Sequence, residues 1–139
     1  MAKPDALPKS ERLYRQKAID ALFGAGSHGL SAFPLRAVFR VCPPDACGIP
    51  ATRQVLFSVA KRKLRHAVDR NRAKRQLREA WRLNRSLLQA EATQHAHIAF
   101  IWLADTPQDT PTIVRKMRNL LHRIEEQCAP ARKVQQPSV

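Results

Sequence analysis

Residues 61–85 hold the side chains of this sequence that are best suited to bind a polyanion. The window, KRKLRHAVDRNRAKRQLREAWRLNR, contains eleven lysine and arginine residues but only two acids, Asp69 and Glu79. Most of its basic residues are arginines, whose planar guanidinium groups make two-point contacts with phosphate and stack on bases. The chemistry that this window predicts is the neutralisation of closely spaced phosphates.

A long helix over residues 68–88 is the element that would position these side chains. At about 100° per residue, its apolar residues fall on one stripe and its basic residues on the opposite side. The stripe consists of Ala73, Leu77, Ala80, Asn84 and Leu87, with Trp81 and Leu88 at its edge. The opposite side carries Asn71, Lys74, Arg75, Arg78, Arg82 and Arg85. We expect Leu77 to be buried and Arg75 and Arg78 to be exposed.

A basic helix can also be an ordinary solvated surface. Such a surface normally combines both signs of charge at the spacing i, i+4. Here Arg70, Lys74 and Arg78 follow one another at that spacing and repel, which favours a polyanionic partner. Asn71 either reads a ribose or base edge or is a polar residue at the helix start. His66 is either a phosphate contact or part of the approach to the helix.

Catalysis by protein side chains is not predicted. The histidines are scattered at positions 28, 66, 95, 97 and 122, and the eleven acids are dispersed. A protein nuclease needs a paired acid and base, or clustered carboxylates that hold metal ions. We therefore expect neither a catalytic residue nor a metal ligand. Cys42, Cys47 and Cys128 fit neither a disulfide framework nor a zinc site, and free thiols are expected.

Length and composition predict a single basic domain. The 139 residues fit one domain, and a hydrophobic content of 44% argues against a disordered chain. The pI near 11.1 favours nucleic acid over an acidic protein or a membrane surface. No apolar run approaches the roughly 18 residues of a membrane span, and no signal-type segment begins the chain, so we expect a cytoplasmic protein.

The remaining helices and the chain ends can be placed around the basic helix. A first helix is predicted over residues 15–23, ending before Gly24, and a last amphipathic helix over residues 112–128. Thr110 has the pattern of its N-cap, with Pro111 at the first helical position. Residues 1–8 and 129–139 are expected to be disordered, which leaves one domain over residues 9–128.

The strand pattern predicts a mixed sheet. Residues 27–33 form a loop or a short edge strand, and residues 35–41 and 53–60 are expected to pair as an antiparallel hairpin across a turn-rich connection. The unbroken apolar run 97–104 predicts a central strand that lies parallel to strand 53–60. The hairpin has one polar face, which is either merely solvated or the floor of a shallow groove for a single strand. That face carries Arg36, Arg40, Gln54 and Ser58.

The basic window resembles the signature of the bacterial ribonuclease P protein family. Residues 58–62, SVAKR, are followed after seven residues by RNRAKR at 70–75 and then by Arg78 and Glu79. Weaker agreement extends over residues 7–127. It includes Arg12 and Leu13, which precede the first helix, and Phe23 at its end, whereas Ile19 replaces an aromatic residue of the family pattern.

The resemblance implies a fold, and it implies separate roles for the protein and for a catalytic RNA subunit. The fold is a two-layer α/β sandwich in αβββαβα order, with about four strands, three helices and a left-handed βαβ crossover where a right-handed one is the general rule. The implied catalyst is an RNA subunit that holds Mg²⁺, and the implied reaction removes the 5′ leader of precursor tRNA. The partners are that RNA and the precursor tRNA, with no protein partner required.

Two surfaces follow for such a subunit. The first would bind the catalytic RNA and consists of Lys61, Arg62, Arg65, Arg70, Asn71, Arg72, Lys74, Arg75, Arg78 and Arg82. The second would hold the unpaired leader through Phe23, Arg36 and Arg40. The alternatives are a ribosomal or other structural RNA-binding protein of similar shape and, more remotely, a DNA-binding protein, because charge alone does not distinguish them.

Overall fold

The computed structural model describes residues 12–13, 16–24, 27–41, 53–89 and 96–128. Its elements are α1 (Gln16–Leu22), β1 (His28–Ala32), β2 (Leu35–Val41), β3 (Gln54–Ser58), α2 (Ala67–Asn84) with a 3-10 turn at Arg85–Leu87, β4 (Ala96–Trp102) and α3 (Thr110–Cys128). This confirms the predicted αβββαβα order. The expected disordered ends and the turn-rich connection with Cys42 and Cys47 lie outside the described residues.

The four strands form one sheet in the order β1-β2-β4-β3. β4 pairs antiparallel with β2 along its whole length, from Ala96 opposite Val41 to Trp102 opposite Leu35. On its other side, β4 pairs parallel with β3. The predicted central position of this strand and its parallel partner are confirmed.

The predicted hairpin between β2 and β3 is wrong, because β4 lies between them. All seven residues of β4 are apolar except His97, and six of the seven are buried. A strand that is apolar on both faces gains more from the centre of a sheet than from an edge. β3 is therefore displaced to the edge.

α2 and α3 cover one face of the sheet and enclose the main core. Leu77 is fully buried, as predicted, and Trp81 lies 5.9 Å from the ring of Phe100 on β4. Leu87 was expected in the buried stripe but is 37% exposed, whereas Leu88 is buried. The helix ends at Asn84 and continues as a tighter 3-10 turn, which shifts the side chains that follow out of the α-helical register.

α1 covers the middle of the other sheet face. Leu13 and Leu22 pack there against Val38 and Ala99, in a small second core. The face is thus divided, with Arg36 toward one end of β2 and Arg40 toward the other. It does not provide the continuous shallow groove that was one reading of its polar residues.

Polar contacts fix α2 against α3. The side-chain amide of Gln76 donates to the carbonyl of Gln108 (2.8 Å) and to the hydroxyl of Thr110 (3.0 Å). Asp109 caps α3, where Thr110 was predicted to do so: its carboxylate accepts bonds from the backbone N–H (3.4 Å) and hydroxyl (2.7 Å) of Thr112. The Thr112 hydroxyl bond is the main reason that the pKa of Asp109 is lowered.

Candidate nucleic-acid interface

The turn between β3 and α2 is held in place by Arg70. Its Nη1 donates to the carbonyls of Leu64 and Arg65, both at 2.9 Å. The backbone N–H groups of Lys63 and Leu64 also donate to the Ala60 carbonyl, at 3.0 and 3.2 Å. Arg70 is therefore a half-buried structural residue as well as a predicted RNA contact. Its repulsion with Lys74 is offset by these carbonyl contacts.

The exposed cations of the turn lead into the exposed side of α2. Lys61, Arg62 and Arg65 are all exposed. On the helix itself, three further exposed residues form what we call the outer row, namely Asn71, Arg72 and Arg75. Nothing within the described residues forms a hydrogen bond or ion pair with the side chains of the outer row. A partner can therefore bind the outer row without breaking any contact among the described residues.

Arg82, farther along the same helix, is exposed but paired. Its Nη2 and Nε donate to the two carboxylate oxygens of Glu79, at 2.7 and 3.0 Å. This two-point contact neutralises much of the local charge of Arg82. It distinguishes Arg82 from the outer row, although both belong to the predicted RNA-binding set.

Lys74 and Arg78 lie on the flank of α2 that faces the edge strand β3. Both are half-buried, and the Nε of Arg78 is 3.4 Å from the Lys74 carbonyl that accepts its bond. The expectation that Arg78 is exposed is therefore wrong. At 100° per residue, Arg78 lies 60° around the helix from Arg75, enough to turn it from solvent toward β3.

This flank forms one wall of a cleft with a volume of about 330 Å³. The cleft is lined by Arg12, Leu13, Val55, Leu56, Phe57, Lys74 and Arg78. Its opposite wall is built where the backbone N–H of Leu13 donates to the Val55 carbonyl (2.9 Å), so that residues 12–13 run along the free edge of β3. Three cationic side chains thus surround a largely apolar floor.

Phe57 gives the cleft a rigid aromatic component. Its ring stacks on Phe100 with centroids 5.9 Å apart and an interplanar angle of 19°, and Phe100 in turn contacts Trp81. Phe57 is only partly buried. Neither Phe57 nor Arg12 was among the predicted site residues. The family pattern includes Arg12, whereas nothing in strand periodicity marks Phe57, which alternates onto the core-facing side of β3.

The three residues predicted to hold a leader are not brought together on the sheet. Phe23 follows the last residue of α1 and is 50% exposed, so it is not a core residue. Arg36 is exposed, and its Nη2 lies 3.2 Å from where a Cβ on Gly29 would stand, so the glycine leaves space for the guanidinium group. Arg40 is half-buried beside His97, whose pKa is lowered by burial and, secondarily, by the charge of Arg40.

The described residues contain no group of three or more His, Cys, Asp or Glu side chains that could hold a metal ion. In the same part of the chain, no helix is long and apolar enough to cross a membrane. The site is therefore characterised by positive charge and an aromatic floor. Fold and site together define a basic protein with one mixed sheet and three helices, whose charged helix and adjoining cleft are suited to a polyanion.

Comparison with known proteins assigns the family. The family model for ribonuclease P matches residues 7–125. The ribonuclease P protein component of Porphyromonas gingivalis is 42% identical over 121 residues, which are 85% of each chain. That of Chlorobaculum tepidum is 38% identical over 88 residues, covering 62% of this chain and 55% of the relative. The chain belongs to the ribonuclease P protein family, whose members function in tRNA processing as part of a ribonucleoprotein.

Solved structures agree with this fold. The ribonuclease P protein from Thermotoga maritima superimposes with a TM-score of 0.63 at 24% identity, over 81% of this chain and 96% of that one. The Staphylococcus aureus protein gives a TM-score of 0.66 at 19% identity, over 84% of this chain and 97% of the other. At such identities the likeness concerns the fold alone. It supports the mixed sheet with three helices derived above.

Proposed function

We propose that this chain is the protein subunit of a cytoplasmic bacterial ribonuclease P, which binds the catalytic RNA and the 5′ leader of precursor tRNA so that the RNA can remove the leader. The observation that carries the proposal is the outer row of α2, which is continuous with the exposed cations of the preceding turn and has no partner among the residues that the structure describes. Family membership supplies the identity of the polyanion.

The catalytic RNA would contact the outer row together with Lys61, Arg62 and Arg65. Cations held on a rigid element displace the counterions of closely spaced phosphates, and that release drives binding. The turn is preorganised because Arg70 fixes its carbonyls. Gln76 fixes α2 against the start of α3. Little conformational freedom would then be lost when the RNA binds.

The cleft between β3 and α2 would hold one unpaired nucleotide of the leader. A base can stack on the exposed part of Phe57, which is already fixed by Phe100. Arg12, Lys74 and Arg78 surround this floor and would contact the neighbouring phosphates. Stacking and backbone charge accept any base, which suits leaders of differing sequence. Phe23, Arg36 and Arg40 remain predicted contacts farther along the leader.

The hydrolysis itself would be performed by the RNA. RNA phosphates would hold the Mg²⁺, and the bound ion would supply the activation of water that hydrolysis of a phosphodiester needs. The protein places cations between two polyanions, the catalytic RNA and the precursor tRNA, that would otherwise repel each other. It thereby favours their association when the Mg²⁺ concentration is low.

Reconstitution tests this proposal. The purified protein, its cognate RNA subunit and a precursor tRNA are combined at low Mg²⁺ concentration, and leader release is followed. We expect cleavage at the mature 5′ end when protein and RNA are both present, and none with protein alone. Cleavage by the protein alone would contradict the assignment of the chemistry to RNA. No acceleration of the RNA by the protein would contradict its role as the subunit.

A further inference from the structure

α3 carries charges in an order that helix stability does not favour. Arg115 and Arg118 lie in its first half, and Glu125 and Glu126 lie near its C-terminal end. The helix dipole favours the reverse, because acids stabilise an N-terminus and bases a C-terminus. Arg115 helps to lower the pKa of Asp109. It nevertheless forms no ion pair with any residue that the structure describes.

Arg118 is hydrogen-bonded to a buried amide of α2. Asn84 of α2 is 5% exposed, and its side-chain nitrogen donates to the carbonyls of Ala80 (2.9 Å) and Val114 (3.1 Å). Its Oδ1 accepts a bond from the Nε of Arg118 at 3.4 Å. Arg118 is itself exposed. The bond restrains the guanidinium group while its terminal nitrogens remain on the surface, an arrangement suited to binding a phosphate.

The two helices present their cations side by side. Gln76 meets the first residue of α3, and Asn84, two turns later, meets Val114 and Arg118. α2 and α3 therefore run in the same direction, at the roughly 8–10 Å spacing of packed helices. Arg115 precedes Arg118 by three residues and is its neighbour on the helix surface. We call these two residues the α3 pair.

We propose that the α3 pair binds the phosphate backbone of a base-paired RNA helix, beside the outer row of α2. This inference rests on the proposed function and extends its RNA-binding surface to α3. Two groups of cations, one on each of two packed helices, complement the two phosphate strands that border a duplex groove.

A duplex fits this surface better than a single strand does. Single-stranded RNA is bound by aromatic platforms on which its bases stack. Among the described residues, the large apolar side chains exposed on α2 are aliphatic, namely Val68, Leu83 and Leu87. Those on α3 are buried or half-buried. The exposed ring on this side of α3 is the imidazole of His122, which lies 3.3 Å from Glu126, so the surface offers mainly charge to a backbone.

The test uses the full chain and two labelled probes, an RNA hairpin of about 20 base pairs and a polyuridine of similar length, across a KCl series. We expect Arg115→Gln and Arg118→Gln each to weaken hairpin binding about threefold to tenfold at about 0.1 M salt, and to lower the salt slope by about one. Polyuridine binding should stay as in the parent. Thermal melting followed by circular dichroism verifies that each variant is folded.

Lys116→Gln is the matched control, because it removes one charge from the same helix. Lys116 precedes Arg123 by seven residues and shares its side of α3. Arg123 donates to the Ser31 carbonyl of β1 at 2.8 Å, so this side faces away from α2. We expect Lys116→Gln to change hairpin binding far less than either arginine variant.

Three outcomes would overturn the inference. The α3 variants could bind the hairpin like the parent, Lys116→Gln could cause an equal loss, or polyuridine could lose as much affinity as the hairpin. The proposed function is tested separately by Arg75→Ala and the catalytic RNA. If Arg75→Ala weakens that complex while the α3 variants bind the hairpin normally, only the inference about α3 fails.

Discussion

The buried and exposed sides of α2 use the same stretch of sequence for different purposes. The buried side, with Leu77 and Trp81, joins the helix to the sheet. On the exposed side, Arg75 has no partner among the described residues, whereas Arg70 holds two carbonyls and Arg82 holds Glu79. The arginines of one helix thus differ in whether their guanidinium groups already bind another group of the protein. Charge density therefore locates a binding helix but does not show which of its cations are already bound to other parts of the protein.

The largest effect is expected on the buried side. Leu77→Ala removes methylene groups from a fully buried position and should lower the free energy of unfolding by about 2–5 kcal/mol. Denaturant titration measures this loss. RNA affinity, corrected for the folded fraction, should match that of the parent. A direct loss of affinity in the folded protein would break the distinction between the two sides.

Arg70→Gln is expected to have an intermediate effect, because Arg70 both holds the turn before α2 in place and is a predicted RNA contact. Losing its bonds to Leu64 and Arg65 should cost about 1 kcal/mol of stability, and amide hydrogen exchange in residues 61–66 should become faster. Arg70→Lys retains the charge but not the planar guanidinium group whose Nη1 donates to both carbonyls, so it should also lose protection. Unchanged exchange in both variants would make Arg70 a simple surface cation like Arg75.

The smallest effect is expected for Glu79→Gln. This change breaks an exposed ion pair, which typically contributes about 0–1 kcal/mol, so the melting temperature should change little. It also removes a negative charge beside Arg82, and RNA affinity should increase slightly at low salt and less at high salt. If affinity fell instead, the pair itself would be part of the binding surface.

Much of the fold could be predicted because its signals are local. Helical periodicity identified the buried Leu77, and the apolar run over residues 97–104 identified the central strand. The partner of β2 could not be predicted, because strand pairing depends on competition among distant segments. The helix end at Asn84 was missed for a related reason, since packing of the 3-10 turn buries Leu88 in place of Leu87.

The site was predictable as a stretch of sequence but not as a set of contacts. Periodicity placed Arg78 on the solvent side, yet the edge of β3 and residues 12–13 enclose it. Phe57 became a candidate only when its stacking on Phe100 was known. The bond from Arg118 to Asn84 joins residues 34 positions apart, and no pattern within one helix could reveal it.

The most direct test of the account is the affinity of Arg75→Ala for the catalytic RNA subunit, measured across a salt series with Lys116→Ala as the charge-matched control. Arg75 is exposed and has no internal partner in the described part of the chain, so the melting temperature should stay unchanged. If the contact with RNA is bidentate, we predict a loss of binding free energy on the order of 1–3 kcal/mol and a salt slope lower by about one. The control variant, Lys116→Ala, should lose clearly less RNA affinity. Parental affinity of Arg75→Ala at every salt concentration would show that the outer row is only a solvated surface.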